Sequence, residues 1–184
     1  MLGHNLKRTG AEVLADMLAG YGVTHVFMVP AVLRRTFAEM ERRTKIARVH
    51  CHGEKSAAYM ADGYARASGK PGICMAQVIG ALNLAAGLRD AFLAHSPVIA
   101  MTGGRDAKTK FRKVYQEIDD TPTFEPVTKM NATVDDVSRF PDMIRQAFRV
   151  ATSGAPDRKR MPLHGGPART KFPMAQNRVA CAPD

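Results

Sequence analysis

One glutamate, placed between a strand-like run and a helix-like run, is the residue of this chain best suited to do chemistry. The stretch 49–72 opens with apolar residues that end in His50, Cys51 and His52, and Glu54 follows at once. In open α/β sheets, ligands collect beyond the carboxyl ends of the strands, where such a junction lies. The helix dipole alone also favours a carboxylate in a first helical turn. The pattern by itself favours that structural explanation over a catalytic one.

The helix predicted after Glu54 has little side-chain bulk on one face. Another backbone can therefore approach it closely, and a glycine at position 69 is expected to end it. The small residues that leave this face open are Ala57, Ala58, Ala61, Ala65 and Ala67.

Two further motifs are weak signals when taken alone. Alternation along a strand places His50 and His52 on one face and Cys51 on the other, so we expect no metal site there. The run Gly80–Asn83 is predicted to open a helix after a strand, where backbone N–H groups can face an anion. It is neither a G-x-G-x-x-G nor a P-loop sequence, so a tight turn with close packing explains it equally well.

Composition excludes several classes of protein. The formal charge of +10 raises nucleic acid as a partner, but the basic residues are dispersed and no aromatic residues alternate with them. Anion attraction or solubility is therefore the favoured explanation. No run of about 20 apolar residues predicts a membrane span, and the N-terminus does not resemble a secretory signal. Three cysteines without paired spacing indicate reduced thiols, so we expect a cytoplasmic protein.

The elements that position Glu54 alternate between apolar strands and helices. This order predicts an α/β, doubly wound domain with a mostly parallel sheet and helices on both faces, spanning residues 4–155. Thr9 and Glu12 fit a capping box at the first helix. From residue 156 to 184 five prolines interrupt the chain and neither apolar period persists, so an irregular tail is expected.

Several stretches together resemble the N-terminal, pyrimidine-binding domain of thiamine diphosphate-dependent enzymes, in the acetolactate synthase branch. The order and spacing also match, over about four-fifths of the chain. The matching stretches are T-G-A-E-V-L-A-D-M-L-A-G-Y-G from Thr9, H-G-E-K-S-A-A-Y-M-A-D-G-Y-A-R-A-S-G-K-P-G from His52, G-A-L-N-L-A-A-G-L-R-D-A-F from Gly80, S-P-V-I-A-M-T-G-G from Ser96, Y-Q-E-I-D from Tyr115 and P-V-T-K from Pro126.

The resemblance implies a role for Glu54. In this family the matching glutamate hydrogen-bonds a ring nitrogen of the cofactor's aminopyrimidine and helps the thiazolium carbon lose its proton, so that this carbon can attack a 2-oxo acid. It also implies that Gly80 and Asn83 lie near the cofactor and that Gln116 lines the active-site entrance. Lys129 is a further candidate for the substrate channel.

The resemblance also implies partners. Only the pyrimidine end of thiamine diphosphate would bind this chain, while Mg²⁺ and the diphosphate would bind a domain that has no counterpart in the sequence. We therefore expect a homodimer or a partner chain carrying that domain, with the small-residue helix packed against the partner subunit and no activity from the chain alone.

The chain departs from the family at Pro30-Ala31 and in V-I-G-A-L-N, which affects the substrate pocket, and from Asp157 the sequence suggests an aberrant terminus. A non-catalytic remnant that serves as a binding or regulatory module is the alternative. A basic nucleic-acid-binding protein is a more remote one.

Overall fold

A computed structural model describes residues 8–30, 33–104, 111–134, 136–153 and 169–174 of the 184-residue chain. Helices and strands alternate over most of this length. The helices are α1 (Gly10–Gly20), α2 (Arg34–Arg43), α3 (Glu54–Ser68), α4 (Val78–Leu93), the short α5 (Thr121–Phe124) and α6 (Phe140–Thr152). The strands are β1 (His25–Met28), β2 (Ala47–His50), β3 (Gly72–Ala76), β4 (Val98–Gly103), β5 (Met130–Asn131) and β6 (Arg169–Met174).

The strands form one six-stranded sheet in the order β2-β1-β3-β4-β6-β5. Every hydrogen-bonded pair in it is parallel. Because consecutive parallel strands need a crossover, helices cover the sheet and bury its strands, and β3 and β4 are buried throughout. The predicted α/β fold with a mostly parallel sheet is confirmed.

Sequence patterning did not indicate strand β6. It pairs with β4 on one side and β5 on the other, within the segment expected to be an irregular tail. Its sequence, R-T-K-F-P-M, has no sustained apolar alternation, and Pro173 argues against a central strand. The expectation for residues 156–184 is therefore corrected for residues 169–174, and the rest of that segment lies outside the described residues.

Alternate residues of each central strand face two different cores. Large side chains such as Met28, Ile73 and Met101 pack on the face covered by α1, α2 and α6. Smaller ones, including Cys74 and Ala100, pack on the face covered by α3 and α4. Since side chains alternate along a strand, the sheet has one bulky face and one face that helices can approach closely.

Two glycines show how close that approach is. A Cβ on Gly72 would lie 2.0 Å from the carbonyl oxygen of Ala61 in α3. A Cβ on Gly87 of α4 would lie 2.6 Å from the carbonyl oxygen of Lys55 and 2.7 Å from Cβ of Ala58. These obstacles are mostly backbone, which cannot move aside as a flexible side chain can. Glycine at both positions therefore allows α3 to contact β3 and α4 at short range.

A capping box fixes where α1 begins. Thr9 Oγ1 accepts the backbone N–H of Glu12 at 3.2 Å, and Glu12 Oε2 accepts the N–H of Thr9 at 2.7 Å, so the predicted capping box is confirmed.

Asp16 joins α1 to α2, because Arg43 donates to its carboxylate from Nε at 3.0 Å and from Nη2 at 2.6 Å. The hydrogen bonds from Arg43 hold the pKa of the Asp16 carboxyl below its ordinary value.

Gly87→Ala should destabilise the fold by about 1–3 kcal/mol, because the new methyl group overpacks the contact between α3 and α4. Gly63→Ala is the matched control, since Gly63 lies in α3 with nothing within 4 Å of its added Cβ. This control should gain about 0.4–1 kcal/mol through the unfolded chain. Urea unfolding measures both values, and equal effects of the two substitutions would refute the close contact.

The Asp16–Arg43 pair should make stability depend on pH. A carboxyl whose pKa is lower in the folded state contributes stability above its unfolded pKa, and that contribution disappears as the pH falls through the folded pKa. From about pH 6 to about pH 3 the wild-type chain should therefore lose more stability than Asp16→Asn. Urea unfolding at stepped pH tests this. The control is Asp142→Asn, which removes a more exposed pair with Arg145, and parallel pH curves for wild type and Asp16→Asn would contradict the prediction.

Candidate functional site

Glu54 is the first residue of α3, four residues after β2 ends at His50. Gly53 precedes it as the N-cap in an extended conformation and has no side chain to cap the helix. Helix α4 starts in the same way directly after β3. Because β2 and β3 belong to one parallel sheet, the first turns of α3 and α4 lie at the same carboxyl edge of that sheet.

The Glu54 carboxylate lies against the first turns of α4. Its Oε2 accepts a hydrogen bond from Nδ2 of Asn83 at 3.3 Å. Its Oε1 lies next to Gly80, where an added Cβ would be 2.2 Å from this oxygen and 2.6 Å from Cδ. The side chain of Glu54 is half-buried. The arrangement fixes a carboxyl group at a sheet edge with one oxygen bonded to an amide and the other over a glycine.

Gly80 does not open its helix as expected. Helix α4 begins at Val78 with Gln77 as N-cap, so Gly80 is its third residue and buried. The sequence predicted that the helix starts at Gly80, two residues later than it does, with the N–H groups of its first turn facing an anion. What Gly80 provides in the structure is space for the Glu54 carboxylate.

Gln116 lies in a turn that hydrogen bonds to the neighbouring Glu117 side chain hold together. It is half-buried and has a φ of 63°, in the left-handed region that is uncommon for a residue with a side chain. The neighbouring Glu117 accepts the N–H groups of Phe111 at 2.5 Å and Val114 at 3.0 Å. No hydrogen bond joins Gln116 to Glu54 among the described residues, so its place at an active-site entrance stays a prediction.

Lys129 has a structural partner. Its Nζ donates to the backbone carbonyl of Ser153 at 2.8 Å, at the end of α6. A lysine at this position satisfies a carbonyl that the helix leaves free and is favoured by the negative end of the helix dipole. This contact accounts for Lys129 without a substrate, and its role in a substrate channel stays a prediction.

The small-residue face of α3 is covered by this chain itself. Ala57, Ala58, Ala61 and Ala65 are buried against α4 and the sheet. The backbone that approaches this face closely therefore belongs to α4 of the same chain. Ala67, the fifth small residue, is exposed, and the packing of α3 against a partner subunit stays a prediction. The opposite side of α3 carries Tyr59 and Met60, with exposed fractions of 44% and 46%.

We call this opposite side, together with its neighbours on α4, the outer α3–α4 face. Its exposed large apolar residues are Tyr59, Met60, Ile79 and Leu93. Tyr59 interacts with Asp90 across the two helices, and the nearby carboxylate raises the pKa of the tyrosine hydroxyl. Sequence reasoning missed this face, although these apolar residues fall off the buried stripe of their helices.

The cysteine near the site is not activated. Cys51 Sγ lies 3.5 Å from Sδ of Met60, and burial raises the pKa of its thiol. Burial also raises the pKa of the Cys74 thiol in β3.

Among the described residues, no cluster of three or more histidine, cysteine or acidic side chains is arranged to hold a metal ion. No helix in the described parts of the chain is long and apolar enough to cross a bilayer.

Comparison with protein families gives a match to the family described as thiamine pyrophosphate enzyme, N-terminal TPP binding domain, over residues 8–123. Acetolactate synthase of Bacillus subtilis is 36% identical over 151 residues, covering 81% of this chain and 26% of that protein. A probable acetolactate synthase large subunit of Methanocaldococcus jannaschii is 36% identical over 148 residues, covering 80% of this chain and 25% of that protein. The chloroplastic acetolactate synthase of Arabidopsis thaliana is 38% identical over 151 residues, covering 81% of this chain and 22% of that protein.

A solved structure shows the same fold. The thiamine diphosphate-dependent 4-hydroxybenzoylformate decarboxylase of Rhodococcus jostii RHA1 superposes with a TM-score of 0.74 at 21% identity, covering 91% of this chain and 30% of that one. The chain spans about a quarter of the length of the curated relatives that it matches. By the family match and these identities, the chain belongs to the thiamine pyrophosphate enzymes, as an N-terminal TPP-binding domain.

Proposed function

We propose that this chain is the cofactor-activating part of an acetolactate synthase-like 2-oxo-acid decarboxylase or carboligase, and that Glu54 is its catalytic residue. The observation that carries the proposal is the placement of the Glu54 carboxylate. It lies at the carboxyl edge of a parallel sheet, half-buried, and is held between Asn83 and Gly80. The similarity to acetolactate synthases supports the reaction class.

The residues present fit the aminopyrimidine end of thiamine diphosphate. A carboxyl group can accept a hydrogen bond from a ring N–H when it is ionised and donate its proton to a ring nitrogen when it is protonated. Gly80 keeps the space around Oε1 free of a Cβ. Asn83, on the surface beside it, can hold Oε2 while Oε1 faces a ligand.

In this proposal the task of Glu54 is to hold or release one proton at Oε1, against a ring nitrogen of the aminopyrimidine. Thiamine diphosphate, when bound, would supply a thiazolium ring, whose carbon attacks the 2-oxo acid and whose positive charge accepts the electrons left when carbon dioxide departs. The chain contributes orientation and proton transfer. Gln116 is proposed to line the entrance and Lys129 the substrate channel, as the family resemblance implies.

The other half of the cofactor requires a second domain. We propose that the diphosphate and Mg²⁺ bind a domain or partner chain beyond this one, since the chain matches about a quarter of each relative. Assembly would use the outer α3–α4 face, because it is apolar, exposed and continuous with the helix that starts at Glu54. A complex with a separate diphosphate-binding chain satisfies this requirement, and a homodimer satisfies it where the same polypeptide also carries that domain.

Glu54→Gln should lower the turnover of the assembled enzyme by about 10²–10⁴-fold, because it removes the proton-transferring group. The chain is mixed with a polypeptide that carries the diphosphate-binding domain of an acetolactate synthase, together with thiamine diphosphate and Mg²⁺. Pyruvate consumption is then measured. The control is Glu125→Gln, which neutralises an exposed carboxylate outside the site and should retain the wild-type rate.

Two outcomes would overturn this proposal. If wild type and Glu54→Gln turn over equally, the chain is a non-catalytic binding module. If the chain alone turns over pyruvate at an ordinary rate, the second domain is not required.

Calorimetry measures the binding of thiamine diphosphate, with Mg²⁺ present, to the chain. The affinity should rise when the diphosphate-binding polypeptide is added.

Met60→Asp should weaken assembly by about tenfold or more, because it introduces a charge into the apolar outer α3–α4 face. Ala38→Asp is the matched control, since it adds the same charge at an exposed position of α2, on the opposite side of the sheet. Sedimentation velocity over a concentration series measures self-association, and a second series includes the diphosphate-binding polypeptide. Equal behaviour of the two variants would exclude this face as the interface.

A further inference from the structure

Three residues of α4 face α3 along one line. Gly80, Asn83 and Gly87 are separated by three and four residues, which places them on the same side of the helix. Gly87 contacts Lys55 and Ala58 closely, and Gly80 contacts the Glu54 side chain. Asn83 lies between the two glycines and is the member of the line with a polar side chain. The short distance between the helices brings its amide within reach of Glu54.

The orientation of the Asn83 amide follows from chemistry. Nδ2 of Asn83 donates to Glu54 Oε2, whereas an amide oxygen turned toward this acceptor would offer it no donor. Oε2 already accepts a hydrogen bond from Asn83, so a proton binds less favourably to this oxygen. Oε1, next to Gly80, accepts no such hydrogen bond among the described residues. The two oxygens of Glu54 are therefore made unequal.

We propose that Asn83 is a positioning residue, which acts through Glu54 by occupying Oε2 and thereby directs the transferred proton to Oε1. Gly80 provides the space in which Oε1 lies. This inference rests on the proposed function of Glu54, and it assigns to Asn83 a task different from direct cofactor contact. The hydrogen bond of 3.3 Å is long, as is common for catalytic contacts before the ligand is bound.

The first test needs no cofactor. In the full, uniformly ¹⁵N-labelled chain, the side-chain amide signals of Asn83 are assigned by comparison with Asn83→Asp. Glu54→Ala should move these signals, because it removes their acceptor, and Glu125→Gln should leave them in place. Unmoved signals in Glu54→Ala would overturn the inference whatever the enzyme activity.

The second test uses the complex with the diphosphate-binding polypeptide. Asn83→Asp keeps the shape of the side chain but presents an acceptor and a negative charge to Glu54. It should lower kcat for pyruvate by about 10–100-fold, the usual effect of removing a group that orients a functional side chain, with KM little changed. Asn83→Ala should lower kcat by a similar factor. Asn83→Gln keeps an amide donor at this exposed position and should recover a measurable part of the rate.

Glu54→Gln separates this inference from the function on which it rests. If Glu54→Gln loses its rate while Asn83→Asp and Asn83→Ala keep theirs, Glu54 remains catalytic and Asn83 is not its positioning residue. If Glu54→Gln keeps its rate, the proposed function itself fails. The double variant Glu54→Gln/Asn83→Ala should be no slower than Glu54→Gln alone, since the effect of Asn83 passes through Glu54. A further independent loss in the double variant would overturn the inference.

Discussion

The close contact between α3 and α4 is the constraint on which the site depends. A carboxylate side chain is flexible, so a glutamate at a helix start does not by itself define where its oxygens lie. Gly87 lets α4 come close to Lys55 and Ala58 of α3, and Gly80 leaves room for the Glu54 side chain. The position of the Glu54 carboxylate thus follows from the absence of two side chains on α4 as much as from the helix on which it stands.

The sheet is built to allow this contact. On the face under α3 and α4 the central strands present small side chains, including Cys74 and Ala100. On the other face they present methionines and isoleucines, which bury more apolar area and contribute more to stability. The small side chains on one face let α3 and α4 pack close to the sheet. The larger side chains on the opposite face supply hydrophobic stabilisation.

Local signals in the sequence predicted the local structure well. The Thr9–Glu12 capping box and the left-handed glycine that ends α3 are set by neighbours within a few residues, and both are present. Strand β6 was missed because its pairing with β4 and β5 joins segments far apart in the chain. The Asn83–Glu54 contact was missed for the same reason, since 29 residues separate its partners. Glu54 itself was identified by resemblance, because its local pattern favoured a simple helix-terminal charge.

That simpler explanation accounts for less of the structure than the catalytic one. The dipole of α3 would favour a carboxylate at its first residue whatever faced it. It requires neither an amide donor on α4 nor a glycine whose Cβ would overlap Oε1. Electrostatic capping tolerates many orientations of a carboxylate, whereas proton transfer to a fixed ring nitrogen tolerates few. Beyond their part in helix packing, the features of α4 that restrict Glu54 are therefore the ones that the proposed proton transfer requires.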